Sequence, residues 1–207
     1  MADNNEYIWA VLYNTIGNEN GVAGLMGNLQ AESGLVSYRL QGDFTPDYTK
    51  SISYTDRVNS GEISRDEFIH DSKGYGLAQW TYYTRKEALY DAWQASGYDS
   101  IGDVRLQVAF LLNELQTSYP SVYNTLVTTP DILTASNDVL FNFENPQQQG
   151  PDVQLVRYQN SVALYNALAT GEPVPIPVPT PVLPPVIPDW LPGAIQDLIR
   201  RGVIYKH

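Results

Sequence analysis

The sequence predicts a mainly α-helical fold, followed by a proline-rich linker and a short terminal helix. Three observations carry that prediction. Apolar residues recur at helical spacing through most of residues 5–169, no segment of any length alternates apolar and polar residues as a half-buried strand does, and prolines fill nearly every second position of residues 171–188. With 207 residues, 43% of them hydrophobic, the chain can bury one core of ordinary size plus something small.

The first helix is expected over residues 5–16, where Tyr7, Ile8, Val11, Leu12 and Ile16 lie to one side. Asn20-Gly21 marks the break before a second helix, roughly 19–33, with Val22, Leu25, Met26 and Leu29 apolar. Its glycines lower helix propensity, but Gly24, Gly27 and Ala31 share one face and would let another backbone or a ligand approach closely. Residues 35–73 have weak periodicity and many turn formers, with at most a short helix at 66–70. A loop of that length in a compact domain is usually functional or disordered. After Gly74-Tyr75-Gly76-Leu77-Ala78-Gln79-Trp80-Thr81 comes a helix over 84–95, with Arg85 and Lys86 expected on its exposed side. Further helices are expected at 102–117, 121–127, 131–142 and 151–169, the last stopping at Gly171.

The proline run denies both helix and ladder hydrogen bonds and favours extended polyproline II. At about 3.1 Å per residue such a spacer reaches roughly 50 Å. Beyond it, Asp189 can cap a helix carrying Trp190, Leu191, Ala194, Ile195, Leu198 and Ile199, with Arg200, Arg201 and Gly202 suited to its end. One such helix cannot bury its own apolar face. Residues 189–207 are therefore expected to dock, to self-associate, or to open a wall-binding unit. The domain boundaries expected are 1–170, 171–188 and 189–207.

Composition narrows the chemistry. There are no cysteines and only two histidines, His70 and His207, which excludes thiolate nucleophiles, disulfides and the usual zinc hydrolase sets. A Ser-His-Asp system would depend on His70, and no Gly-x-Ser-x-Gly turn carries a serine for it. No cofactor or metal is implied. The formal charge of -11 argues against nucleic acid, which requires clustered Lys and Arg. Residues 1–6 are polar and acidic without a basic or apolar leader, and no window is long enough to cross a bilayer. The expectation is synthesis in a cytoplasm without an export signal. What chemistry remains runs on carboxylates, amides and aromatics, the last including 15 tyrosines and four tryptophans.

Among the carboxylates, Glu32 stands out. It lies seven residues, nearly two turns, after Leu25, so it falls where the pattern asks for a core residue. A carboxyl on an apolar face resists ionisation, which suits a general acid; a glutamate turned to solvent near the helix end is the other reading.

The motif 27–34 (Gly-Asn-Leu-Gln-Ala-Glu-Ser-Gly), then 74–81 (Gly-Tyr-Gly-Leu-Ala-Gln-Trp-Thr) and Arg85, resembles the phage tail lysozyme family. These are helical, lysozyme-like peptidoglycan-cleaving domains related to goose-type lysozymes and soluble lytic transglycosylases. Residues 68–73 and 84–89 resemble members from phages and prophages of Gram-positive bacteria, and Gln107–Leu115 and Phe143-Glu144-Asn145-Pro146 resemble the family's later segments. The likeness covers residues 5–169.

The resemblance implies a lysozyme-like helical domain acting on peptidoglycan glycan strands, as an endolysin released through a holin or as a virion-associated enzyme. Glu32 corresponds to the catalytic acid that protonates the bond between N-acetylmuramic acid and N-acetylglucosamine. Gln79 corresponds to a cleft glutamine whose amide meets sugar groups, unless it ties two loops together. Tyr75 and Trp80 offer ring faces to sugars or pack in the core; Gln30 and Thr81 complete the expected substrate contacts. An inverting muramidase needs a second carboxylate roughly 6.5–9.5 Å from the acid. Goose-type enzymes carry an aspartate where this chain has Thr81, so Asp71 is the first substitute, ahead of Asp43 and Asp47; a turn-shaping role is the alternative. Without a base, attack by the muramic acid 6-hydroxyl gives a lytic transglycosylase. A silent wall-binding or virion structural protein is the reading outside enzymes. Glu144 is expected to order the fold.

Overall fold

A computed structural model describes residues 4–171; the expected linker after Gly171 and the expected helix at 189–207 lie outside the described residues. The helices are α1 (Asn4–Ile16), α2 (Glu19–Ser33), α3 (Thr49–Asn59), α4 (Arg65–His70), α5 (Tyr83–Ser96), α6 (Val104–Ser118), α7 (Pro120–Thr128), α8 (Ile132–Asp138) and α9 (Pro151–Leu168). A π-helical stretch, Val139–Glu144, continues α8. The mainly helical class is as the periodicity predicts, and the described residues hold only isolated bridges, Leu40 with Tyr75 and Tyr75 with Trp80. None of the described helices is long and apolar enough to cross a membrane.

The centre of the molecule is α2. Asn18 caps its start by accepting from the Asn20 N–H at 3.0 Å, and Gly34 closes its end with an N–H bond to the Gln30 carbonyl. Between them Gly21 through Leu29 are all buried. Helices α7, α8 and α9 wrap the glycine face. A Cβ on Gly27 would lie 1.9 Å from the Ser161 hydroxyl and 2.5 Å from its backbone nitrogen, so α9 can approach this closely only because the side chain is absent. The close approach expected of that face is by backbone. Leu25 and Leu29, on the other side, are fully buried, each stabilising the fold by roughly 1.5–3 kcal/mol.

Two departures from the sequence expectation concern residues 35–73 and α5. Residues 49–59 form α3, which apolar periodicity does not reveal because its buried stripe is Ser51, Tyr54, Thr55 and Val58. The spacing is helical; the residue types are mostly polar. Lys86, expected on the exposed side of α5, is fully buried. Its stem lies on the Phe68 ring and its ammonium meets Asp71, so the apolar chain is spent inside while the charge is paired. Around it Tyr54, Phe68, Tyr75 and Tyr90 pack with centroid separations of 5.6–6.3 Å, joining α3, α4 and α5 to the loop after Gly74.

Candidate active site

A cleft of about 610 Å³ opens where the end of α2 meets the 39–44 loop, the 74–81 motif, the start of α5 and the end of the π-helical stretch. Its wall includes Glu32, Arg39, Phe44, Gln79, Tyr82 and Glu144. Glu32 reaches it because Ser33, the next residue, anchors the helix end: its hydroxyl donates to the Leu77 carbonyl at 2.8 Å, tying α2 to the glycine motif. That motif folds tightly. Gly76 has φ +77, and a Cβ there would lie 2.5 Å from Gln107 Oε1, the atom that accepts from the Leu77 N–H at 2.9 Å. A side chain at Gly76 would thus displace the amide that holds the loop.

Glu32 keeps 24% of its side chain exposed, and Arg157 Nη2 donates to its Oε1 at 2.5 Å. The same guanidinium lies 2.7 Å from Glu144 Oε2 through Nη1 and donates to the Asn28 carbonyl at 3.2 Å. Arg157 and Glu144 are 7% and 4% exposed, so one buried cation serves two acids of the cleft wall, of which Glu32 is the more exposed. The Glu144 contact is short but poorly directed: neither Glu144 oxygen nor Arg157 Nε has a well-aligned hydrogen-bond partner. Burial, and then the like charge of Glu32, push the Glu144 carboxyl well above the usual range; Arg157 and Arg85 oppose this without cancelling it. The π-helical turn, closed by the Asn145 N–H to the Leu140 carbonyl at 2.9 Å, is what swings Glu144 inward.

A second pair stands behind the cleft. Arg85 donates to both oxygens of Glu114 at 2.6 and 2.8 Å, and its guanidinium lies 4.8 Å over the Phe143 ring. Trp80 Nε1 donates to the same carboxylate at 2.9 Å.

The expected site residues divide accordingly. Glu32, Gln79 and Thr81 line the cleft. Gln79, at φ 45, spends its amide donor on the carbonyls of Arg39 and Gly76, at 3.1 and 3.0 Å. Tyr75 and Trp80 do not face sugar: both are fully buried, Tyr75 bonded to the Thr55 hydroxyl and Trp80 packed on Phe110. The aromatic rings available at the cleft are Phe44 and Tyr82, 88% and 63% exposed. Gln30 is half-buried and does not line the cleft. Asp71 also lies off the cleft wall, accepting from Lys86, from the Tyr54 hydroxyl and from the Lys73 N–H at 3.0 Å. Asp43 is buried; burial alone would raise its carboxyl, but Thr45 and Ser51 donate to it and hold it well below the usual range. Asp47 is exposed, and His70 is off the cleft, beside Asp66 and Tyr83.

Sequence reasoning misses Arg157 entirely and reads Glu144 as an ordering residue. The available signal is register: Arg157, Ser161, Leu164 and Leu168 form one helical stripe, which places a cation in a line of core positions. No curated protein and no solved structure matches the chain. The family model described as phage tail lysozyme matches residues 3–168, and the chain belongs to that family, whose substrate is bacterial peptidoglycan.

Proposed function

We propose that the chain cleaves the β-1,4 bond between N-acetylmuramic acid and N-acetylglucosamine, with Glu32 as general acid. The observation that carries this is the shared guanidinium: Arg157 faces Glu32 and Glu144 together at the cleft, and Glu32 is the more exposed of the two, 24% against 4%. One cation cannot neutralise two carboxylates, so Glu144 holds a proton where an exposed carboxylate would have lost it. Glu32 is the member of the pair positioned to pass that proton to the glycosidic oxygen. As C1–O4 breaks, N-acetylglucosamine leaves with a neutral 4-hydroxyl and C1 of the muramyl residue becomes oxocarbenium-like. Phe44 and Tyr82 offer ring faces to the strand, and the Thr81 hydroxyl offers a hydrogen bond.

The second step decides the product. An inverting muramidase places its base across the cleft, roughly 6.5–9.5 Å from the acid. Among the described residues the acids lining the cleft are Glu32 and Glu144, and both sit on Arg157. Asp71 is engaged by Lys86 and Tyr54. This supports capture of C1 by the muramic acid 6-hydroxyl, whose proton returns to the Glu32 carboxylate, giving a 1,6-anhydro end. The muramidase reading, in which water takes that place, is favoured by the family's description as a lysozyme. Digestion of purified walls followed by mass spectrometry separates the two: 1,6-anhydro ends support transglycosylation, reducing ends support hydrolysis. Wall binding without any glycan cleavage would sink both and leave a silent binding protein. The setting that fits either reaction is phage-type lysis of, or entry into, a Gram-positive host.

A further inference from the structure

Six arginines lie among the described residues, and five of them have a carboxylate partner: Arg57, Arg65, Arg85, Arg105 and Arg157. Arg39 has none among those residues, in a chain with 23 acidic side chains against 12 basic ones. It is also the one on the cleft wall whose charge is left for something else. The residue is nevertheless held firmly. Its carbonyl accepts from the Gly76 N–H at 2.8 Å and from the Gln79 amide at 3.1 Å, so the glycine-glutamine motif fixes its backbone. Its guanidinium lies 4.6 Å over the Tyr48 ring, which in turn meets Tyr38 edge-on at 6.3 Å. Tyr48 caps the start of α3 in the left-handed region, φ 55, a conformation a bulky residue rarely adopts. A planar cation stacked on one face keeps its N–H edge free for a bidentate anion.

We propose that Arg39 binds a carboxylate of the muramyl side of the substrate, on the peptide stem or, where no stem is attached, on the lactyl group. This rests on peptidoglycan as the substrate of the cleft. The sugars are neutral, so this contact distinguishes muramyl from N-acetylglucosamine positions and sets which sugar lies beside Glu32.

The test is calorimetric binding to the full chain carrying Glu32→Gln, so that ligand persists. Three probes are used: the disaccharide-tetrapeptide with free carboxylates, the same molecule with them amidated, and the peptide-free disaccharide bearing only its lactyl carboxylate. Adding Arg39→Gln is expected to weaken the anionic muropeptide about tenfold and to leave the amidated one unchanged, with Arg39→Lys between. Weakening confined to the anionic muropeptide assigns the stem; weakening of the peptide-free disaccharide as well shows that Arg39 also takes the lactyl carboxylate that is free where no stem is attached. Unchanged affinity for the anionic muropeptide, or equal loss on the amidated one, overturns the proposal. Because the Arg39 side chain makes no hydrogen bond within the described residues, the thermal midpoint of Arg39→Gln serves as the folding control. A parent chain that fails to cleave walls, with Arg39-dependent binding intact, overturns the lytic reading alone.

Discussion

Among the described residues two buried cations, Lys86 and Arg157, anchor acids, and they do so in opposite ways. Lys86 is fully inaccessible and faces one carboxylate, Asp71, which also accepts from Tyr54 and from the Lys73 backbone. Charges balance there and the acceptor oxygens are used. Burial lowers the Lys86 ammonium's proton affinity and Asp71 partly restores it, as in a closed structural pair. Arg157 faces two carboxylates, and three of the buried polar atoms around it lack a well-directed partner. An arrangement that costs stability in this way, and that opens to a cleft, is where a proton can be held and released. A paired acid next to a glycine motif is not thereby catalytic; an excess of acid over cation is the more telling feature.

The largest effect that tests this contrast is on rate. Glu32→Gln is expected to lower wall clearing by about 10²–10⁴-fold with little change in thermal midpoint, whereas Asp71→Asn keeps activity within about threefold. An Asp71→Asn protein that melts normally yet clears no walls would make Asp71 the missing base and break the comparison.

Next comes stability. Asp71→Asn leaves the Lys86 ammonium buried without its carboxylate and should cost on the order of 3 kcal/mol in denaturant unfolding. Lys86→Met, which keeps the stem's volume, should restore much of that loss when combined with Asp71→Asn. Failure of the double variant to recover would show that the pair does more than satisfy charge.

Glu144→Gln sharpens the other side. It should lower the rate about tenfold and move the alkaline limb of the pH–rate profile downward, because Arg157 then faces a single carboxylate. An unmoved profile would mean that Glu144 only fills space.

The smallest effect is the pH dependence of folding. Glu144 has a raised folded-state pKa, so its contribution is fully present below its unfolded value of 4.5 and is lost as pH rises through the raised one. Stability should therefore fall with pH in that window by up to about 1.4 kcal/mol per unit, and Glu144→Gln should flatten the slope. Asp43, held low by Thr45 and Ser51, acts in the opposite sense: its contribution is lost as pH falls below its unfolded value of 3.8.

Much of the fold is legible in the chain. The expected helix over 19–33 coincides with α2, and 5–16, 84–95 and 151–169 match α1, α5 and α9 to within a residue at each end. Helix α3 escapes because a stripe of Ser51, Tyr54, Thr55 and Val58 carries helical spacing in residues that are not apolar. The site is less legible. Glu32 is visible as an acid in an apolar register, but Trp80 and Tyr75 draw attention as aromatics in a motif while their rings are in the core, and the exposed rings at the cleft are Phe44 and Tyr82. Aromatic identity does not say which side of a loop a ring takes.

By itself the sequence determined what depends on neighbours along the chain: most of the helices, the close-packed glycine face of α2, the helix end that presents Glu32, and the absence of cysteine. Only the tertiary structure decided the partners. Arg157 meets Glu32 across 125 residues, Trp80 meets Glu114 across 34, and Arg39 has no acid partner among the described residues although acids abound. Charges are paired by distance in space and by how much water is excluded between them, and neither quantity is written in local order.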